Sequence, residues 1–160
     1  MKMIQVLVVD DHQIVRQGVR SLLERLRPEW TILEAAGGAE ATELIRRENP
    51  DLVVMDITLP GLSGLEVTSR LRKAGFDRPI LIFTMHISKQ LAADTREAGA
   101  QGYVLKSQAV EDLVRAIDIL FSGGTFFEEP PDLQKDPPKP NRGPLFFAGL
   151  KSALALVSVF

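Results

Sequence analysis

Two hydrophobic rhythms alternate along the chain as far as residue 125. Short β-branched and aliphatic runs occupy 4–9, 31–34, 52–55, 80–83 and 102–105. Each is too short for a helix that buries itself. Three are apolar without alternation, the pattern of strands covered on both faces. Helical spacing fills the intervals. Val15, Val19, Leu22, Leu23 and Leu26 line one face of a first helix. Ala41, Leu44 and Ile45 define a second, stopped by Asn49-Pro50, and Val67 and Leu71 a weaker third after Gly64. Ser88 reads as the N-cap of a helix over 89–98 that Gly99 ends. Its apolar stripe is thin, only Leu91, Thr95 and Ala98. Val110, Leu113, Val114, Ile117, Leu120 and Phe121 form the strongest stripe, closed by Gly123-Gly124, with Glu111 and Asp112 in the first turn where the helix dipole favours them.

Five strand–helix units in succession predict an α/β fold. Right-handed crossovers place helices on both faces of a parallel sheet. The expected architecture is a flavodoxin-like (βα)5 doubly wound sheet of strand order 2-1-3-4-5, with ligands bound outside the carboxyl ends of the strands.

Composition divides the chain near residue 129. Six of the ten prolines lie in 130–144, and the charge changes sign there: 15 basic against 19 acidic residues before Pro130, four against two from it onward. The expected organisation is a folded body over 1–128, a proline-rich linker over 129–144 and an apolar tail over 145–160. A net charge of −2 excludes coating of nucleic acid by bulk charge. The absence of cysteine excludes disulfides, thiol nucleophiles and thiolate metal sites. With His12 and His86 as the only histidines, a histidine-rich metal centre is not expected. The N-terminus lacks the long apolar core and cleavage site of a signal peptide, so a cytoplasmic location is expected.

The chemistry lies just past the strands. Asp10 and Asp11 follow the first, Asp56 the third, Thr84 the fourth and Lys106 the fifth. In the expected fold these side chains converge on one rim. Three carboxylates that close repel one another and call for a cation. All-oxygen ligands with room for water select Mg²⁺, to which the backbone carbonyl of Thr58 adds a further oxygen. The free oxygen of Asp56 is then a nucleophile for a phosphoryl group. Lys106 and the cation neutralise the phosphoryl oxygens, and Thr84 hydrogen-bonds one of them.

VVDDH at 8–12, VVMDITLPGLSG at 53–64, FTMH at 83–86 and GYVLKS at 102–107 together resemble the receiver domain of two-component response regulators, NarL/FixJ type. The resemblance runs from about Ile4 to Glu128. It implies a phosphoprotein of a two-component phosphorelay, phosphorylated at Asp56 by a sensor histidine kinase and not itself an enzyme. It implies Mg²⁺ held by Asp11, Asp56 and the Thr58 carbonyl, with Asp10 acting through water. It implies a switch pair, Thr84 and Tyr103, beside a catalytic Lys106, with Thr58 and His86 flanking the phosphate. His12 is implied to lie near the face that meets the kinase. The face made by the fourth helix, fifth strand and fifth helix is implied to serve a homodimer or another partner. Ser107 departs from the proline that often follows the family's lysine.

Regulators of this type normally continue into a helix-turn-helix DNA-binding domain. No recognition helix can be placed in 129–160, so no DNA-binding domain is expected in this chain. The tail, LFFAGLKSALALVSVF, is shorter than the ~20 residues that span a bilayer and contains Lys151. Membrane contact is therefore not expected of it. Three readings of it stay open: a short packed helix, a partner-binding segment, or the remnant of a truncated or frame-shifted gene. Two other functions fit parts of the pattern. A truncated NarL/FixJ-type transcriptional regulator is one, and a Mg²⁺-dependent aspartyl-phosphate phosphatase the other, although in that class the nucleophile follows the first strand. A flavodoxin-type FMN carrier fits worse, since VVDDHQ would repel a phosphate.

Overall fold

A computed structural model describes residues 2–127; the expectations for the linker and the tail lie outside the described residues. Five strands, β1 (Gln5–Val9), β2 (Thr31–Ala35), β3 (Leu52–Asp56), β4 (Ile80–Thr84) and β5 (Gly102–Leu105), alternate with helices α1 (Gln13–Leu26), α2 (Gly38–Glu48), α3 (Gly64–Lys73), α4 (Lys89–Ala98) and α5 (Ala109–Phe121). The strands form one parallel sheet of order β2-β1-β3-β4-β5. This is the flavodoxin-like arrangement expected from the pattern. A 3₁₀ turn over Lys106–Gln108, not foreseen in the sequence, joins β5 to α5.

Successive strand residues face opposite sides of the sheet, and the core divides accordingly. Val6, Val8, Leu52, Val54, Leu81, Phe83 and Val104 pack with α1 and α5. Leu7, Val9, Val53, Met55, Ile80, Ile82 and Tyr103 pack with the α2, α3 and α4 side. The uninterrupted apolar runs of β3 and β4 follow from this, because both sides of those strands are covered.

The helix ends form where the side chains dictate. Ser63 and Ser88 cap α3 and α4 by accepting from the amides of Glu66 and Leu91. Asn49 and Gly99 end α2 and α4 in the left-handed region. Two stripe assignments need correction. Val110 is 70% exposed, because the first turn of α5 lies a full turn before the buried Leu113. Leu26, the last residue of α1, is also exposed. Ala116, small enough to let α5 approach the sheet, belongs to the buried face instead.

Beyond α5 the chain returns to the sheet edge. Phe126 bridges Gly102 in parallel, its amide donating to the Gln101 carbonyl at 2.9 Å and its carbonyl accepting from Tyr103 at 3.0 Å. Phe126 enters the α1/α5 side of the core and Phe127 packs on the opposite side. A Cβ on Gly102 would come within 2.5 Å of the Phe126 carbonyl oxygen, so this close approach requires glycine.

Candidate functional site

Strand parity assembles the site. Val6 and Val8 face α1 and α5, and the next position of that parity is Asp10. Leu52 and Val54 lead in the same way to Asp56, and Val104 to Lys106. Ile80 and Ile82 face the other side and lead to Thr84, the parity shared by Tyr103. Acids and lysine thus gather on one side of the rim, and Thr84 and Tyr103 on the side of α4.

Asp10 and Asp56 are buried, and the ammonium of Lys106 lies between them. Its Nζ is 2.7 Å from Asp10 Oδ2 and 3.0 Å from Asp56 Oδ2. Asp56 Oδ1 accepts from the Thr58 amide at 3.2 Å. Lys106 also lies over the Phe83 ring, 5.7 Å from its centroid, which gives the side chain an apolar floor. Burial pushes the Asp56 carboxyl above the usual carboxylate range; Lys106 opposes this and the charge of Asp10 adds to it. Burial pulls Lys106 down, but its ion pairs with Asp10 and Asp56 outweigh that and hold it above the ordinary lysine value.

Asp11 stands at the rim, its side chain one-third exposed, with Oδ1 3.1 Å from His12 Nδ1. Thr84 is buried and donates its hydroxyl to the His86 carbonyl at 3.2 Å, so it is engaged within its own loop rather than with Asp56. His86 itself is exposed. Tyr103 is buried, with its ring edge-on to Phe127 at 6.1 Å between centroids.

The donor set fits a divalent cation. Ligand atoms of Asp10, Asp11, His12 and Asp56 lie within 4.8 Å of one another. Three carboxylates gather about a single lysine, which leaves an excess of negative charge at a site whose floor, Asp10 and Asp56, is buried and whose rim, Asp11, is exposed. Hard oxygen donors of this kind suit Mg²⁺.

Two structural supports hold the site, of which the first escaped the sequence reading. Arg16, in the first turns of α1, donates from Nη1 to the Asp10 carbonyl at 2.6 Å, while its Nε lies 3.5 Å from Glu34. Glu34 also pairs with Arg20 at 2.8 Å. This brace holds the loop that carries the two acids. A lone charge inside the apolar β2 was the available signal. Gly64 is the other support: a Cβ there would lie 1.9 Å from the Asp56 carbonyl oxygen, so α3 can begin against the acceptor strand only with glycine.

A parallel sheet of this order, with an acid-and-lysine rim at its carboxyl ends, defines a receiver domain. The family model described as "Response regulator receiver domain" matches residues 6–118, and the chain belongs to that family. Within it, the relatives are response regulators of the LuxR and NarL kind. The chain is 39% identical to the response regulator UvrY of Escherichia coli strain K12 over 121 residues, which is 76% of this chain and 56% of UvrY. It is 37% identical over 125 residues to the nitrate/nitrite response regulator protein NarP of the same organism, covering 78% of this chain and 58% of NarP. A crystal structure of a LuxR-family two-component response regulator from an Aurantimonas species matches with a TM-score of 0.73 and 45% identity, over 78% of this chain and 89% of that one. The chain spans little more than half the length of the curated relatives it matches. Receiver domains are signalling domains that bind Mg²⁺ at such an acidic pocket. No helix among the described residues is long and apolar enough to cross a membrane.

Proposed function

We propose that this chain receives a phosphoryl group on Asp56 from the phosphohistidine of a sensor histidine kinase and changes its α4-β5-α5 face in response. One observation carries the reading. Asp56 is a buried carboxylate at the end of the acceptor strand, with a lysine ammonium on one oxygen and a backbone amide on the other.

In the transfer, an Asp56 oxygen attacks phosphorus, the P–N bond of the donor breaks, and the departing imidazole keeps the bonding electron pair and takes a proton from solvent. The product is an acyl phosphate on Asp56. Asp11, Asp56 and the Thr58 carbonyl, with Asp10 acting through water, would hold Mg²⁺, which would supply charge neutralisation at the phosphoryl oxygens. Lys106, already 3.0 Å from Asp56, supplies a second positive charge to them. Thr58 and His86 flank the group. The Thr84 hydroxyl exchanges its bond to the His86 carbonyl for one to the phosphoryl group, which draws in the β4–α4 loop. Tyr103 shares the side of the sheet vacated by that movement and responds to it. The new face is the surface for a homodimer or another partner.

The relatives' names speak of regulation, and a transcriptional output, on a partner or elsewhere in a longer protein, is the natural consequence. The test uses a small-molecule phosphodonor and beryllofluoride, each with Mg²⁺, on wild type and Asp56→Asn. Wild type is expected to gain the mass of one phosphoryl group and to show shifted NMR resonances in β4, α4 and β5 with beryllofluoride; Asp56→Asn is expected to show neither. Equal responses in the two proteins would remove Asp56 from its role.

A further inference from the structure

Tyr103 is gripped from the side opposite the rim. The β4–β5 register pairs Ile82 with Tyr103 and Thr84 with Leu105. Tyr103 is therefore the diagonal neighbour of Thr84 on one side of the sheet, a separation that an aromatic side chain spans. Its ring is buried, and Phe127 closes on it: the two rings meet edge-on, with centroids 6.1 Å apart and planes at 61°. That is the geometry of a favourable aromatic pair. Tyr103 thus stands between the Thr84 loop and the last residue before the chain leaves the domain.

Phe127 is itself well fixed. The Arg96 guanidinium of α4 lies 3.9 Å from its centroid. Its neighbour Phe126 is bridged to Gly102, and the Phe126 carbonyl accepts from the Tyr103 amide at 3.0 Å. Arg115 of α5 covers the Phe126 ring at 5.1 Å. Tyr103 is held to this short segment twice, by its backbone amide and by its ring. The backbone bond survives a turn of the ring; the edge contact does not. The edge contact accompanies the arrangement in which the Thr84 hydroxyl donates to the His86 carbonyl. A contact made in one arrangement and lost in the other shifts the balance between them by its own worth.

We propose that Phe127 is a positioning residue that holds Tyr103 in this arrangement and so resists the switch. Release of its ring carries the change at Asp56 to the point where the chain leaves the domain. The inference rests on the proposed function for the movement of Thr84 and Tyr103, and it adds the restraint and its direction. Linkage makes the effect reciprocal: whatever draws Phe127 off the Tyr103 ring favours the switched arrangement by the same factor.

The full chain is titrated with beryllofluoride at saturating Mg²⁺ and followed by NMR. In wild type the amides of Tyr103, Phe126 and Phe127 should shift together with those of the β4–α4 loop. Phe127→Ala should lower the beryllofluoride concentration at half response by about three- to tenfold. Phe127→Tyr, which keeps the ring, should stay within about twofold of wild type. In a Tyr103→Leu background, Phe127→Ala should change the midpoint by less than about twofold, a dependence that a loss of stability alone would not produce. Amides of Phe126 and Phe127 that stay fixed in wild type while β4 and α4 respond would overturn the restraint and leave the receiver reading standing; this arm needs no substitution. A midpoint unchanged or raised in Phe127→Ala, or lowered equally in the Tyr103→Leu background, would overturn it as well. Silence of β4, α4 and β5 in wild type would remove the proposed function, and the restraint with it.

Discussion

α4 and α5 flank the same strand, β5, yet they are held in opposite ways. α5 buries Leu113, Ala116, Ile117 and Leu120 almost completely in the α1/α5 side of the core. Each of its large side chains contributes roughly 1.5–3 kcal/mol by removal from water. α4 fully buries only Thr95, whose hydroxyl is turned back on the Leu91 carbonyl at 2.8 Å. Leu91 and Ala92 pack only in part. One helix anchors the domain. The other lies beside the rim and is held by far less buried apolar surface. Low local unfolding cost is a property of elements with little buried apolar surface, and here it falls on the helix whose N-terminus follows the Thr84 loop.

The largest effect expected from this contrast is in the core. Leu113→Ala should lower the unfolding free energy by about 2–5 kcal/mol, measured by urea denaturation. Leu91→Ala should cost less than about 1 kcal/mol. Comparable losses at the two positions would break the comparison. Native-state hydrogen exchange sharpens it. The amides of α4 should exchange through local opening insensitive to low denaturant, and those at the centre of α5 only through global unfolding. Merging of the two sets of amides into one cooperative unit would show that α4 is as firmly held as α5.

Much of this contrast was legible in the sequence. Five apolar runs separated by helical stripes pointed to a doubly wound parallel sheet, for which the observed order is the usual one for five strands, and the thin stripe of 89–98 against the rich one of α5 already marked the weaker helix. What the pattern missed is physical in origin. Asp56 and Thr84 belong to their strands because the ladder pairs them with Phe83 and Leu105, whereas hydrophobicity ends one residue earlier. Val110 satisfies helical spacing, but spacing cannot say where a helix overhangs the sheet. At the rim, the nearness of Asp10, Asp56 and Lys106 follows from strand ends and parity. The Arg16–Glu34 brace and the turn of His12 toward the acids depend on side-chain directions that no periodicity encodes. The return of Phe126 to β5 depends on Gly102 in the same way.

The rim offers a pH test of how α4's neighbourhood differs from the core of α5, which holds no titratable group on its buried face. Burial raises the Asp56 pKa in the folded state. Between its ordinary value and the raised one the folded protein holds more protons than the unfolded chain, so stability falls as pH rises through that window and stays reduced above it. Asp56→Asn lacks this loss. With chelator present, the stability of Asp56→Asn relative to wild type should therefore grow as pH rises above the ordinary aspartate value of about 4, read from urea midpoints at each pH. A pH-independent difference would mean that the ion pair with Lys106 fully offsets the burial of Asp56.

The smallest expected effect concerns what still tethers α4. Arg96, exposed on that helix, places its guanidinium 3.9 Å from the centroid of the Phe127 ring, and Phe127 in turn meets Tyr103 edge-on. Arg115 of α5 lies over Phe126 at 5.1 Å. Consecutive phenylalanines on one bridged segment are thus held by arginines from the two contrasted helices. At an exposed site such a cation–π contact is worth about 0.5–1 kcal/mol. That is minor for α5, with its four buried residues, and a large share of what fixes α4. Arg96→Ala should leave the global urea midpoint nearly unchanged while accelerating hydrogen exchange in α4 severalfold. Arg115→Ala should leave exchange at the centre of α5 unaltered. A uniform response to both substitutions would mean that the two helices share a common anchorage and that the weakness of α4 lies elsewhere than in its few contacts.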